Sequence, residues 1–279
     1  MEGNQSPYDE EFSKQGEMSF LDHLEVLRWH LVRSVIAVLL FMTLAFVFKE
    51  FVFDTIILAP QKSNFLTYRL FCDLSHFLDF GDRLCFNDIS FSLINISMSG
   101  QFTTHILVSA VAGIILAFPY ILIEVWRFIL PGLKKTERRS AMALVFFGSL
   151  LFMSGVLFGY YVISPLSVQF LGNYTVSSTV TNSISLNSYI STLTSITLAC
   201  AIVFQLPIIV YFLSKIGILT PQLMKTYRKH SIVVVLILAA IITPPDITSQ
   251  ILVAIPLIIL YEVSILISRM VVKKEEKSA

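Results

Sequence analysis

Charge is what this sequence has least of. Asp, Glu, Lys and Arg make up 14% of its 279 residues, against roughly a quarter in soluble domains. Hydrophobic residues make up 55%, with 23 Phe among them, and mean hydropathy is +0.77. So little charge cannot cover that much apolar surface in a soluble fold of this length. The net charge of +1 gives no electrostatic attraction for nucleic acid, so no nucleic-acid partner is expected. Three cysteines are too few for a disulfide scaffold. The five histidines (His23, His30, His76, His105 and His230) have no metal-ligand spacing. There is no nucleophile–base set, phosphate loop or zinc motif. No catalytic residue, metal site or cofactor is therefore expected, and the chain does not read as an enzyme. The segment Met1 to Lys14 is polar and acidic and lacks the apolar stretch of a secretory leader.

What is abundant is long uncharged apolar sequence. About 20 such residues cross a hydrocarbon core of about 30 Å. Six blocks qualify or nearly do. They run from Trp29 to Phe48, Phe102 to Glu124 (apolar on to Leu130), Ala141 to Ile163, Tyr189 to Leu213, Ser231 to Thr243, and Ile247 to Ser268. Backbone groups in lipid must be satisfied internally, so these blocks are expected as helices. The fold class is all-α: one polytopic membrane domain over residues 1–279. The fifth block is short, roughly 20 Å at 1.5 Å per residue. Pro119, Pro207 and Pro256 lie inside the second, fourth and sixth blocks, where each should kink its helix. Bent helices favour a cupped wall over a tight bundle.

Orientation follows from Lys and Arg. Sixteen of the 20 basic residues flank one side, in the N-terminal segment 1–28 and the start of the first block, the second and fourth connections and the tail 269–279. The other four, Lys49, Lys62, Arg69 and Arg83, all lie in the long first connection, 49–101. Both termini are thus expected in the cytoplasm, and the 49–101 loop in the periplasm.

Local patterns supply candidate polar sites. Ser19 followed by Asp22 fits a capping box. Phe20, Leu24, Leu27 and Leu31 then share one helical face. This reads as an amphipathic helix on the cytoplasmic surface before the first span, on which Glu25 and Arg28 can pair. Pro131 and Gly132 end the second block, and Thr136 can cap the next helix with Glu137 in its first turn. Within the spans, Glu124 and Glu262 lie towards the cytoplasmic side, within reach of Arg127 and Arg269. Asp246 lies at the Pro244-Pro245-Asp246 turn, and Gln205 near the middle of the fourth block. Polar groups at such depth are costly and need a partner.

These stretches together resemble the TatC family from Met18 to Met270. The resemblance is carried by Phe20-Leu-Asp-His-Leu-Glu-Val-Leu-Arg28, by Phe118-Pro-Tyr-Ile-Leu-Ile-Glu-Val-Trp-Arg-Phe-Ile-Leu-Pro-Gly-Leu133, by Glu137-Arg-Arg139, and by Thr243-Pro-Pro-Asp-Ile-Thr-Ser-Gln250 with Ala254-Ile-Pro256. It implies a receptor subunit of the twin-arginine translocation system in the bacterial inner membrane. Such a subunit recognises twin-arginine signal peptides of folded cargo. With TatA-type and, where present, TatB-type single-span subunits, it moves that cargo using the proton-motive force. The resemblance implies a homo-oligomeric receptor complex and assigns peptide recognition to Glu25 and Glu137, with Phe128 and Arg28 beside them. Paired guanidiniums need carboxylates with free lone pairs, and arginine donates in a planar fork that lysine lacks.

Two places depart from the family pattern. Gln205 stands where an acidic residue is common, which leaves polar contact with a TatA-type helix and removes a titrating role. The middle of the first loop, Asn64 to Phe91, reads as an insertion. It holds Cys72 and Cys85 with twelve residues between them, a candidate disulfide in an oxidising compartment, whereas Cys200 lies in an apolar block. The alternative function is a secondary transporter of a small solute, since Pro-interrupted spans can mark a midplane site. Against it stand the absence of paired repeats and the clustering of polar residues at span ends.

Overall fold

The computed structural model describes residues 20–62, 64–77, 81, 92–129, 138–177, 179, 182–243 and 247–276. Helix α1 spans Phe20–Val47. A π-helical turn, Phe51–Ile57, and a 3-10 turn, Ala59–Gln61, follow. Next come α2 (Leu66–Phe77), β1 (Ser92–Ile94) and α3 (Gly100–Ile129). Helix α4 (Arg138–Phe158) runs through a second π-helical turn, Gly159–Ile163, into α5 (Ser164–Asn173). The rest is β2 (Ser183–Ser185), α6 (Leu186–Val203), α7 (Leu206–Lys215), α8 (Pro221–Thr226), α9 (Arg228–Ile242) and α10 (Ile247–Glu276). Five helical stretches are long and apolar enough to cross a membrane: 24–47, 100–129, 143–173, 186–215 and 249–273. Helix α9 has 15 residues, roughly 22 Å, and falls short of a core of about 30 Å.

Several expectations are corrected. Phe20 to Arg28 is not a separate surface helix; it is the first two turns of α1, because no Gly, Pro or turn residue separates it from the apolar run. Ser19 and Thr136, expected as caps, lie outside the described residues, as do Glu137, Asp246 and Cys85. The third block does not end at Ile163. Pro165 sits where the π-helical turn gives way to α5; Tyr161 O, four residues back, accepts instead from Thr67 Oγ1, and the helix runs on to Asn173. The fourth block is interrupted within the 186–215 stretch: α6 stops at Val203, Phe204 and Gln205 form a turn with helical backbone angles, and α7 restarts at Leu206 with Pro207 in its first turn. Pro119 and Pro256 stay inside continuous helices. The all-α class needs one addition: β1 and β2 form a parallel pair, Ser92 opposite Ser183 and Ile94 opposite Ser185. It joins the first and third connections at the end of the molecule away from Phe20 and Glu276, termed the loop end here.

Helices α1 and α3 pack along each other with close backbone approach. A Cβ on Gly113 would lie 2.8 Å from Met42 N and 2.9 Å from Val38 O. Otherwise α1 is largely uncovered, with only 6% of its apolar window buried. Helices α4 and α6 meet in the same way at Gly155, where a Cβ would lie 2.8 Å from Ala201 Cα and 2.9 Å from Cys200 O. Small residues permit such contacts where lipid supplies no hydrophobic drive between helices. Gly155→Ala should cost about 1–3 kcal/mol by overpacking. It should lower the thermal unfolding midpoint in detergent, and an unchanged midpoint would contradict the close approach. A buried cluster including Ile163, Ile196, Phe204, Ala239 and Leu257 ties the α4–α5 turn to α6, α9 and α10.

Beyond the spans, Tyr68 on α2 is 2% exposed. Its hydroxyl lies 2.9 Å from Pro60 O and 3.3 Å from Pro165 O. Burial pushes its phenol above the ordinary value, so it remains a donor throughout the physiological range. Cys72 on α2 is disulfide-bonded, and Cys200 is free and buried.

Candidate functional site

The polar centre of the molecule lies where the start of α1 meets the end of α3. Glu124 is 1% exposed, far too deep for a carboxylate without partners. His30 Nδ1 donates to its Oε2 at 2.5 Å, and Arg127 Nη1, one helical turn on, donates to its Oε1 at 3.3 Å. The sequence places Glu124 towards the interface, within reach of Arg127. The arginine contact is present, but the carboxylate is buried and its shortest bond is to His30, 94 residues away. The Phe128 ring meets the His30 ring edge-on, centroids 6.2 Å apart at 67°. One network therefore fixes Phe128 and the α1–α3 junction.

Glu25 and Arg28, on the first turns of α1, are both exposed. Among the described residues, neither takes part in an ion pair or hydrogen bond, so they do not pair with each other. The two acidic groups at this end thus differ in kind. Glu124 is 1% exposed with a partner on each oxygen, so a guanidinium arriving from solvent does not reach it. Glu25 is exposed and has no partner among the described residues.

Glu262 on α10 pairs with Arg228, the first residue of α9, at 2.5 Å. It does not pair with Arg269, its expected neighbour, which lies about two turns further along α10. Both partners are about half exposed, so the pair ties α9 to α10 at modest energy. Gln205, at the α6–α7 break, has an unexpected partner: its Nε2 donates to Gly148 O on α4 at 2.9 Å. No described residue donates to its Oε1. The amide therefore closes a contact between helices while keeping one acceptor free.

His30 is the residue that sequence reasoning missed. Its only signal was an ionisable side chain at the start of an apolar run, opposite a span bearing an unexplained glutamate. Among the described residues, no group of three or more His, Cys, Asp or Glu could hold a metal ion.

The family model described as Sec-independent protein translocase protein (TatC) matches residues 22–256. A protein of Blattabacterium named Sec-independent protein translocase protein TatC is 39% identical over 264 residues, covering 94% of this chain and 99% of the relative. The protein of the same name from Aquifex aeolicus is 34% identical over 93% of this chain and 98% of its own length. Among solved structures, the crystal structure of the twin arginine translocase receptor TatC superposes with a TM-score of 0.69 at 34% identity. It covers 90% of this chain and 99% of its own.

Proposed function

The chain belongs to the TatC family, and from that premise we propose that it is the receptor subunit that binds twin-arginine signal peptides of folded cargo. In this reading it lies in the bacterial inner membrane with both termini in the cytoplasm. Helix α9 completes six spans, with the bilayer thinned around it, and the helices form a cup rather than a closed bundle. TatA-type subunits, and a TatB-type one where present, join a homo-oligomeric receptor to move cargo on the proton-motive force.

The observation that carries the reading is the exposed carboxylate of Glu25, which has no partner among the described residues, on the same helix as His30, whose partner Glu124 is buried. In our proposal Glu137, in the connection that follows α3, supplies the second carboxylate. This reading requires the two to lie within roughly 10–15 Å of each other, in reach of one Arg-Arg pair, with Phe128 and Arg28 on the same surface. The test is binding of a labelled twin-arginine peptide to the protein in detergent, followed by anisotropy. Tight binding that is lost when both arginines become lysine is expected. Equal affinity for both peptides would refute the assignment.

Gln205 Oε1 is proposed to accept a hydrogen bond from a TatA-type helix, worth about 1–2 kcal/mol or less. Cysteine scanning should then crosslink α7 to that subunit, and a scan with no crosslink from α6, α7 or α9 would sink this contact. In the periplasm, Cys72 is proposed to bond Cys85. Closing that loop stabilises by about 2–3 kcal/mol in the chain-entropy model. Mass spectrometry of unreduced, alkylated protein should find the two peptides joined. Alkylation of Cys85 without prior reduction would rule the pairing out.

A further inference from the structure

Helix α2 does more than cap the loop end. Its residues fall into three strips. Thr67, Tyr68 and Ser75 are buried against the protein, with Thr67 Oγ1 donating to Tyr161 O and Tyr68 reaching Pro165 O. Leu66, Leu70 and Phe77, spaced four and seven apart, share a second strip and are 55%, 58% and 86% exposed. Arg69 and His76 form the third, also exposed, and exposed Asp73, seven residues from Leu66, lies on the boundary between the second and third strips. A helix standing in water beside the protein needs only two strips, one inward and one polar. Among the described residues, nothing packs over the exposed apolar strip.

Depth explains it. Tyr161 and Pro165, which α2 touches, lie in the 31-residue apolar stretch 143–173, roughly 46 Å long at 1.5 Å per residue. A hydrocarbon core of about 30 Å takes about 20 of those residues and ends near Ile163. At that level Phe65, just before α2, stacks on Tyr161 with centroids 5.6 Å apart. It also meets Tyr160 edge-on at 5.8 Å and Tyr68 at 5.9 Å. Such aromatic groups mark the membrane–water boundary.

We propose that α2 is an interfacial helix. Its Leu66–Leu70–Phe77 strip faces the acyl region of the loop-end leaflet, Asp73 at the edge of that strip sits at headgroup level, Arg69 and His76 face the headgroups and water, and the remaining strip holds the protein. The occupant of the exposed apolar strip is lipid. It continues the lipid-facing surface of the spans, and Arg69 beside it is suited to headgroup phosphate.

The test uses the full chain reconstituted in phosphatidylethanolamine–phosphatidylglycerol vesicles. A nitroxide is attached through a ketone-bearing amino acid at position 66, 70 or 77, and separately at 69 or 76, leaving the native cysteines untouched. Power saturation should show the first set accessible to oxygen and protected from a water-soluble nickel complex. The second set should lose that protection. Equal nickel access on both strips would place α2 in water and overturn the proposal. Exclusion of both relaxants from positions 66, 70 and 77 would mean a protein partner covers the strip, and would overturn it as well.

Discussion

Glu124→Ala should destabilise the protein by about 3 kcal/mol, the lower end of the range for breaking a buried pair. The lower end applies because one partner, Arg127, is 58% exposed and regains water, whereas His30 is 16% exposed and does not. The cost comes from what is left behind: an imidazole whose Nδ1 proton loses its acceptor at the α1–α3 junction. Thermal unfolding in detergent should rank the variants Glu124→Ala, His30→Ala and Arg127→Ala from most to least damaging. His30→Ala and Glu124→Ala combined should cost less than their sum, because each alone orphans the other's group. An additive pair, or an Arg127→Ala variant as unstable as Glu124→Ala, would mean that the network does not hold the junction.

That network shows where sequence reasoning ran out. Five of the six apolar blocks coincide with the stretches long and apolar enough to cross a membrane, because length and lack of charge decide helix location in lipid; the third was cut short at Ile163, and the fifth, in α9, falls short of that length. The same reasoning could not pair His30 with Glu124 or Gln205 with Gly148. Those bonds join residues 94 and 57 positions apart and depend on which helices become neighbours. Arg269 is the wrong partner for Glu262 for the same reason. Proximity in sequence stood in for proximity in space, and the packing of α9 against α10 brought Arg228 instead. Proline was legible as a disturbance but not as a kind of disturbance: Pro119 and Pro256 remain within helices, whereas Pro207 opens a new one. The π-helical turns at Phe51–Ile57 and Gly159–Ile163 left no pattern to read. The first is held from outside, by Tyr160 donating to Ile56 O and Tyr189 to Ile57 O. The buried carboxylate of Glu124 lies near a helix end with one partner on each oxygen among the described residues.

Glu25→Gln and Glu137→Gln are expected to weaken twin-arginine peptide binding without weakening the fold at Glu25. The stability argument comes first, since Glu25 is exposed and holds no described partner. Its replacement should leave the unfolding midpoint where it was, unlike that of Glu124. A hydrogen bond to a charged group contributes about 1.5–3 kcal/mol, so each variant should lose roughly tenfold to a hundredfold in Kd. Lysine cannot reproduce the bidentate geometry of arginine, so the ratio of affinities for Arg-Arg and Lys-Lys peptides reports the carboxylates directly. That ratio should fall in each single variant and approach one in the double variant. A general loss of affinity with the ratio intact would assign the two glutamates to the field around the site rather than to the grip on the guanidiniums. A ratio that survives the double substitution would remove them from recognition altogether and leave the family assignment standing.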